Sequence, residues 1–360
     1  MLSLLADLKD IWIGFNLFNY VSFRTGGAIC TAFLMSLMMG PRMIAWLKSL
    51  QGAGQPIRSD GPETHFKKAG TPTMGGLLIL ISVTISTILW AHPSNPFIWL
   101  ALLVMVGFGL LGFADDYLKL TKRNTAGLSG RKKLVGQTLI SIVATYGITH
   151  FLPADISTSI AIPFFKHFFV PLGIFFFLWS IFVMIGASNA VNLTDGLDGL
   201  AIVPVAIAAA SFGLIAYMVG RVDFSTYLQI PYVPGTAELS ILCGALVGGA
   251  MGFLWFNAPP AMIFMGDTGS LSMGGVLGTI AIMVKHELVL AIIGGVFVME
   301  TVSVIIQVVS FKTRGKRVFL MAPIHHHFEK KGWSESTVVI RFWIIAMVLA
   351  LIGLSTLKLR

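Results

Sequence analysis

Charge is what this sequence has least of. Only 11% of its 360 residues are Asp, Glu, Lys or Arg and 56% are hydrophobic, whereas a soluble globular domain carries about 25% charged residues. With a mean hydropathy of +0.84, the composition excludes an ordinary water-soluble globule. Repeats of short period, low-complexity tracts and a separate soluble domain are also missing. The two cysteines, Cys30 and Cys243, lie inside apolar runs where a disulfide has no evident role, so they read as small buried hydrophobes. The opening stretch MLSLLADLKDIWIGF lacks the basic region and small-residue cleavage site of a signal peptide. It is expected to stay on the mature protein and to lie along the membrane interface.

What the chain has instead is long apolar runs. A spanning helix needs about 20 predominantly apolar residues, and about ten such runs are centred near Ala32, Thr84, Met105, Ile142, Phe177, Ala208, Val247, Leu277, Met299 and Met347. Backbone polar groups in lipid must be satisfied within the segment, so these runs should be helices. The expected fold is an all-α integral membrane protein, one polytopic domain over 1–360. Lys and Arg collect in cytoplasmic loops, and they collect here at about 48–72, 115–133 and 312–336. The loops near 93–96, 150–169, 220–237 and 285–287 hold only Lys166, Arg221 and Lys285. Alternation through ten spans puts both termini on the outer face and puts 189–199 and 257–268 inside with the basic loops.

Carboxylates near lipid cost free energy and mark binding sites by default. Four motifs on the expected inner face carry them: GFADDYLK at 112–119, NAVNLTDGLDG at 189–199, FMGDTGS at 264–270 and MAPIHHHFE at 321–329. Asp115 and Asp116 are neighbours, so on a helix they point about 100° apart and need different partners. One should face a metal or phosphate and the other a lysine such as Lys119 or Lys122. Asn189, Asn192, Asp195 and Asp198 step by three, which aligns polar groups along a helix, while Gly196 and Gly199 equally suit a turn that brings backbone close to a ligand. Either arrangement gathers groups able to hold a nucleotide or a hydrated cation. Asp267 among small residues suits Mg²⁺, which takes oxygen ligands and shares them with substrate phosphates; a helix N-cap is the plainer alternative. Asn257 and Phe264 nearby can hydrogen-bond or stack on a base.

His325, His326 and His327 fan apart on a helix and lack the spacing of a zinc motif, so phosphate or hydroxyl binding fits them better. In HFKKAGTPTMGG (65–76), Thr71 and Pro72 stand where a helix N-cap and first residue would, and backbone N–H groups with Lys67 or Lys68 suit a phosphate. Glu300 and Gln307 lie seven residues apart in the ninth run and share a face. A structural role is expected for Glu300; Gln307 is a candidate ligand contact.

These motifs, in this order and separated by spans, resemble those of the phospho-N-acetylmuramoyl-pentapeptide transferases, a branch of the polyprenyl-phosphate N-acetylhexosamine-1-phosphate transferases. The resemblance covers essentially the whole chain. It implies a multi-pass protein of the bacterial inner membrane with ten transmembrane helices, a homodimer, and a cleft at the cytoplasmic face. It implies transfer of phospho-MurNAc-pentapeptide from UDP-MurNAc-pentapeptide to undecaprenyl phosphate, giving lipid I and UMP with Mg²⁺, and no nucleic-acid partner. Carried over motif by motif, Asp267 is a Mg²⁺ ligand, and Asp115 and Asp116 are catalytic or position phosphate. Asn189, Asp195, Asp198 and Phe264 line the nucleotide side; Lys68, Thr73, Gln307 and the three histidines complete the substrate site. A lipid phosphate monoester has a second pKa near about 6, so it is already mostly dianionic, and direct attack with Asp115 orienting or deprotonating it is expected over a covalent aspartyl-phosphate. The alternatives are a sibling transferase using UDP-N-acetylglucosamine and, in another class, an ion-coupled transporter or lipid flippase. The latter should show broken helices and midplane charge.

Overall fold

A computed structural model describes residues 1–52, 70–122, 127–165 and 168–358. It is mostly helical, and eight helices are long and apolar enough to cross a membrane. These are α1 (Val21–Gln51), α3 (Pro96–Thr121), α4 (Gly130–Phe151), α5 (Phe175–Thr194), α6 (Ile202–Val219), α8 (Leu239–Asn257), α11 (Gly295–Arg314) and α13 (Glu335–Ser355). The short helices are α7 (Val222–Leu228), α10 (Glu287–Ile293) and α12 (Ile324–Lys330).

Two further apolar helices correspond to expected runs. The helix α2 (Gly76–Trp90) has 15 residues, about 22 Å at 1.5 Å per residue, which is short for a bilayer core. It begins later than Thr71–Pro72 suggest. Residues 72–76 instead run beside 264–265: Phe264 N–H donates to the Pro72 carbonyl, and Gly75 and Gly76 N–H donate to the carbonyls of Phe264 and Met265. With their backbone groups engaged there, 71–75 are not helical. The helix α9 (Gly266–Met283) is rich in glycine, serine and threonine, and every residue from Thr268 to Met283 is buried. It is the central post, packed chiefly on α3 and α5. At Gly274 a Cβ would run into the Ala187 carbonyl of α5, so the small residues of α9 permit close backbone approach.

The outer-loop candidates gather at one end of the bundle. Arg24, at the start of α1, donates to the Glu238 carboxylate at 2.8 Å and to the Trp90 carbonyl at 3.3 Å, and Glu238 also accepts the His92 N–H. A two-stranded antiparallel hairpin, β1 (Ser159–Ala161) with β2 (Phe169–Pro171), pairs Ile160 with Val170. Lys285, completely buried, holds this hairpin by donating to the carbonyls of Ser157 and Ser159 at 3.1 and 3.0 Å, with its ammonium 4.0 Å from the Phe176 ring centroid. Burial pushes that lysine down to about 8.

Candidate active site

At the opposite end, glycines let three helices meet. A Cβ at Gly112 of α3 would collide with the Asp267 carbonyl, and one at Gly76 of α2 with the Gly269 backbone. One turn beyond Gly112, Asp116 is therefore carried against the first turn of α9. Its carboxylate accepts from Asp267 N–H (3.2 Å), Thr268 N–H (3.0 Å) and the Thr268 hydroxyl (2.8 Å). The first N–H groups of a helix lack internal partners and carry partial positive charge, so a carboxylate from a different helix fills the place of a cap. Gly266, at φ +72°, makes the turn into α9.

Asp115 turns elsewhere, as adjacent helical residues must. Its carboxylate accepts the Leu128 N–H at 2.7 Å and pairs with Lys119 at 2.6 Å. Asp267 accepts from Lys133 at 2.7 Å, lies 3.3 Å from Lys119, and takes the Asn192 amide at 2.8 Å on its other oxygen. Different as their partners are, Asp115, Asp116 and Asp267 each offer an oxygen within 4.8 Å of the others'. Three hard oxygen donors fit a divalent cation of the Mg²⁺ or Mn²⁺ type and none of the soft metals. The two ammonium groups share those oxygens and hold the like charges together.

The 189–199 run is helix first and turn afterwards. Asn189 and Asn192 lie on α5, which ends at Thr194. Asn192 bridges Asp267 and the Ser270 hydroxyl, while Asn189 donates to the Gln137 side chain and the Ile185 carbonyl. Asp195 follows the helix; removal from water, then the charges of Asp267, Asp116 and Asp198, push its carboxyl up to about 8. Asp198 is buried and accepts the Ala261 N–H. Asn257, also buried, joins two loops by accepting from Gly199 N–H and donating to the Ile263 carbonyl. Phe264 is half-buried beside them.

The histidines have three separate partners on α12 and around it. His325 faces Glu300 at 3.1 Å, His326 faces Glu329 at 2.7 Å, and His327 accepts the Leu320 N–H at 3.1 Å. Gln307 accepts from Val318 and Phe319 N–H and donates to the Phe319 carbonyl, closing the turn that leads to α12. Thr73 is buried and bonded through its backbone to the Gln51 amide. Lys68 lies outside the described residues.

Lys133 is the site residue that sequence reasoning missed, since it stood there only as one of many basic loop residues. Helical spacing could have singled it out: Lys133, Gln137 and Ser141 share one face of α4, and Gln137 is buried with its amide donating to Ser188 at 3.0 Å. Thr268 and Ser270 carry no such signal; their roles follow from where α3 and α5 meet α9.

The chain is a helical bundle with a carboxylate cluster and two lysines at one end, and it belongs to glycosyl transferase family 4, whose model matches residues 98–285. The match spans α3 to α9 and so includes all three clustered aspartates. Residues 68–80 match the phospho-N-acetylmuramoyl-pentapeptide-transferase signature 1. Relatives bearing that enzyme's name are 61% identical in Maricaulis maris (strain MCS10), over 99% of both chains, and 60% identical in Rhodopseudomonas palustris (strain BisA53), over the full length of both. The chain is a member of the phospho-N-acetylmuramoyl-pentapeptide-transferase family.

Proposed function

We propose that this protein transfers phospho-MurNAc-pentapeptide from UDP-MurNAc-pentapeptide to undecaprenyl phosphate in the bacterial inner membrane, producing lipid I and UMP in a Mg²⁺-dependent reaction. The observation that carries the chemistry is the convergence of Asp115, Asp116 and Asp267 with Lys119 and Lys133 at one end of an apolar bundle. An undecaprenyl chain stays in the bilayer, so a catalyst for its phosphate belongs at the end of such a bundle, facing the cytoplasm where the nucleotide is found.

Two anionic phosphates must be brought together, and their repulsion has to be offset. Lys119 and Lys133 present ammonium groups for the diphosphate, and the family resemblance assigns Lys68 to the substrate site as well. Asp267 would hold Mg²⁺, which when bound supplies charge neutralisation and polarises the phosphoryl oxygens. An oxygen of the lipid phosphate attacks the sugar-bearing phosphorus, a new P–O bond forms, and the bond to the UMP oxygen breaks with its electron pair leaving on UMP. Asp115 orients the nucleophile or removes its remaining proton. Asp116 fixes the start of α9 and with it Asp267. Asn189, Asn192, Asp195, Asp198, Asn257 and Phe264 shape the nucleotide side; Thr73, Gln307 and the 325–327 histidines close the substrate site, and the protein works as a homodimer.

Purified protein should release UMP from UDP-MurNAc-pentapeptide only when undecaprenyl phosphate and Mg²⁺ are both present. Equal or better turnover with UDP-N-acetylglucosamine would move it to the sibling activity.

A further inference from the structure

Glu300 and His325 form the most deeply buried acid–imidazole pair among the described residues. Both side chains are 0% exposed, and His325 Nδ1 lies 3.1 Å from a Glu300 carboxylate oxygen. They come from α11 and from α12, which are joined by the loop 315–323. Both ring nitrogens and both Glu300 oxygens are buried with no hydrogen-bond partner, so the 3.1 Å approach is the polar contact the two side chains have, and Nε2 points at the backbone of Gly196, where a Cβ would collide with it. Gly196 follows Asp195 directly and belongs to the 195–199 turn. One imidazole thus connects a buried carboxylate in a helix to the loop that carries two of the site's acids.

We propose that Glu300 is a positioning residue for the transfer reaction, acting on the Asp195–Asp198 turn through His325. The proposal rests on the function given above only in assigning that turn to the nucleotide side. The Glu300 oxygen 3.1 Å from Nδ1 is placed to accept a proton carried there, so Glu300 fixes the His325 tautomer and sets the ring plane. The bare Nε2 face is thereby held against Gly196. A buried ionisable side chain in a membrane helix is costly unless it is paired, and an imidazole oriented by a carboxylate is the usual way one ring nitrogen is made to present a defined face. The rest of the turn is already pinned, by Ala261 N–H on Asp198 and by Asn257 on Gly199. At its Asp195 end the backbone is bonded to α5, through Asp195 N–H on the Val191 and Asn192 carbonyls and Gly196 N–H on the Thr194 carbonyl, and the imidazole contact at Gly196 is the side-chain contact that bears on that end from α12.

The test uses Glu300→Gln and Glu300→Leu in the full-length protein. An amide can either accept from Nδ1–H or donate to bare Nδ1, so Glu300→Gln should give mixed His325 tautomers by ¹⁵N NMR, assigned with His325→Gln. It should weaken UDP-MurNAc-pentapeptide binding by titration calorimetry and raise its KM about threefold, while kcat changes less than twofold. Glu300→Leu should raise KM at least tenfold, and Glu300→Leu/His325→Ala should be no worse than the poorer single variant, because the two act as one unit. Glu300→Gln that folds and binds with wild-type affinity would overturn the proposal, and so would a wild-type His325 with unprotonated Nδ1. Failure of the assigned reaction is recognised separately, because then wild type itself releases no UMP while the tautomer result still stands.

Discussion

The Asp116 carboxylate receives both the backbone N–H and the hydroxyl of Thr268, at 3.0 and 2.8 Å, so a residue of α3 caps the central helix α9. Replacing the hydroxyl by a methyl group in Thr268→Val keeps the shape and removes one bond to a buried carboxylate. Hydrogen bonds to charged groups contribute about 1.5–3 kcal/mol. The variant is expected to unfold at lower temperature by an amount consistent with that range, and to need more Mg²⁺ for half-maximal UMP release because Asp116 and the start of α9 are less firmly held. An unchanged thermal midpoint together with an unchanged Mg²⁺ requirement would show that this cap is not important.

Asp267 and Lys133 should respond in opposite directions to the metal. Asp267→Asn removes one hard anionic ligand from a site with few protein ligands, so turnover should vanish across a Mg²⁺ titration while the bundle stays folded. Lys133→Met removes a cation that shares the Asp267 and Asp115 oxygens, so Mg²⁺ should bind more tightly. UMP release should nevertheless fall by at least about tenfold, since the diphosphate loses an ammonium partner. Metal affinity measured by Mn²⁺ paramagnetic titration separates the two effects, and weaker metal binding by Lys133→Met would contradict this reading of the lysine.

At the other end, Arg24 and Glu238 tie α1 to the turn that leads into α8, and both are largely buried. Removing one member of a buried ion pair strands the other and typically costs about 3–5 kcal/mol. Arg24→Met should therefore lower the thermal midpoint strongly, and Arg24→Met/Glu238→Met should recover most of the loss. Two additive losses would mean that the pair does not act as a unit.

Hydropathy made the eight long helices legible, because lipid requires apolar runs of that length. It served less well where packing rather than lipid decides. The run around Leu277 is found as α9, but its Gly, Ser and Thr content reflects enclosure by other helices and not contact with lipid, and the run around Met299 reads as continuous although the structure divides it at Gly294 into α10 and α11. The short hairpin of β1 and β2, held by Lys285, left no alternating pattern to read. For the site, the adjacent aspartates disclosed that they needed separate partners, and both the step-by-three and the turn reading of 189–199 proved correct for successive halves. That Asp116 would reach Thr268 was not legible, since it depends on Gly112 and Gly76 allowing three backbones to approach.

Loop contacts define the two ends of the bundle, and the distribution of Lys and Arg predicts that the end bearing the carboxylate cluster faces the cytoplasm. In a chain with Cys30 and Cys243 replaced, cysteines introduced at Ser129 and Ser157 should label from opposite sides of intact cells, with position 129 protected from an impermeant reagent. Labelling of both positions from outside would reverse the orientation and remove the site from the cytoplasm.

The last prediction concerns whether Asp115 ever becomes covalently modified. Its carboxylate is engaged on one oxygen by Leu128 N–H and on the other by Lys119, an arrangement that lowers its nucleophilicity and suits a residue that orients a phosphate. The lipid phosphate, with a second pKa of about 6, needs little help to become a dianion at neutral pH. Asp115→Asn should therefore be slowest at low pH and recover partly as pH rises through about 6 to 8, as the nucleophile ionises by itself. Wild type mixed with UDP-MurNAc-pentapeptide and Mg²⁺ but no lipid should give no burst of UMP. A stoichiometric burst, with a phospho-sugar trapped on the protein and an Asp115→Asn variant inactive at every pH, would establish the two-step route instead.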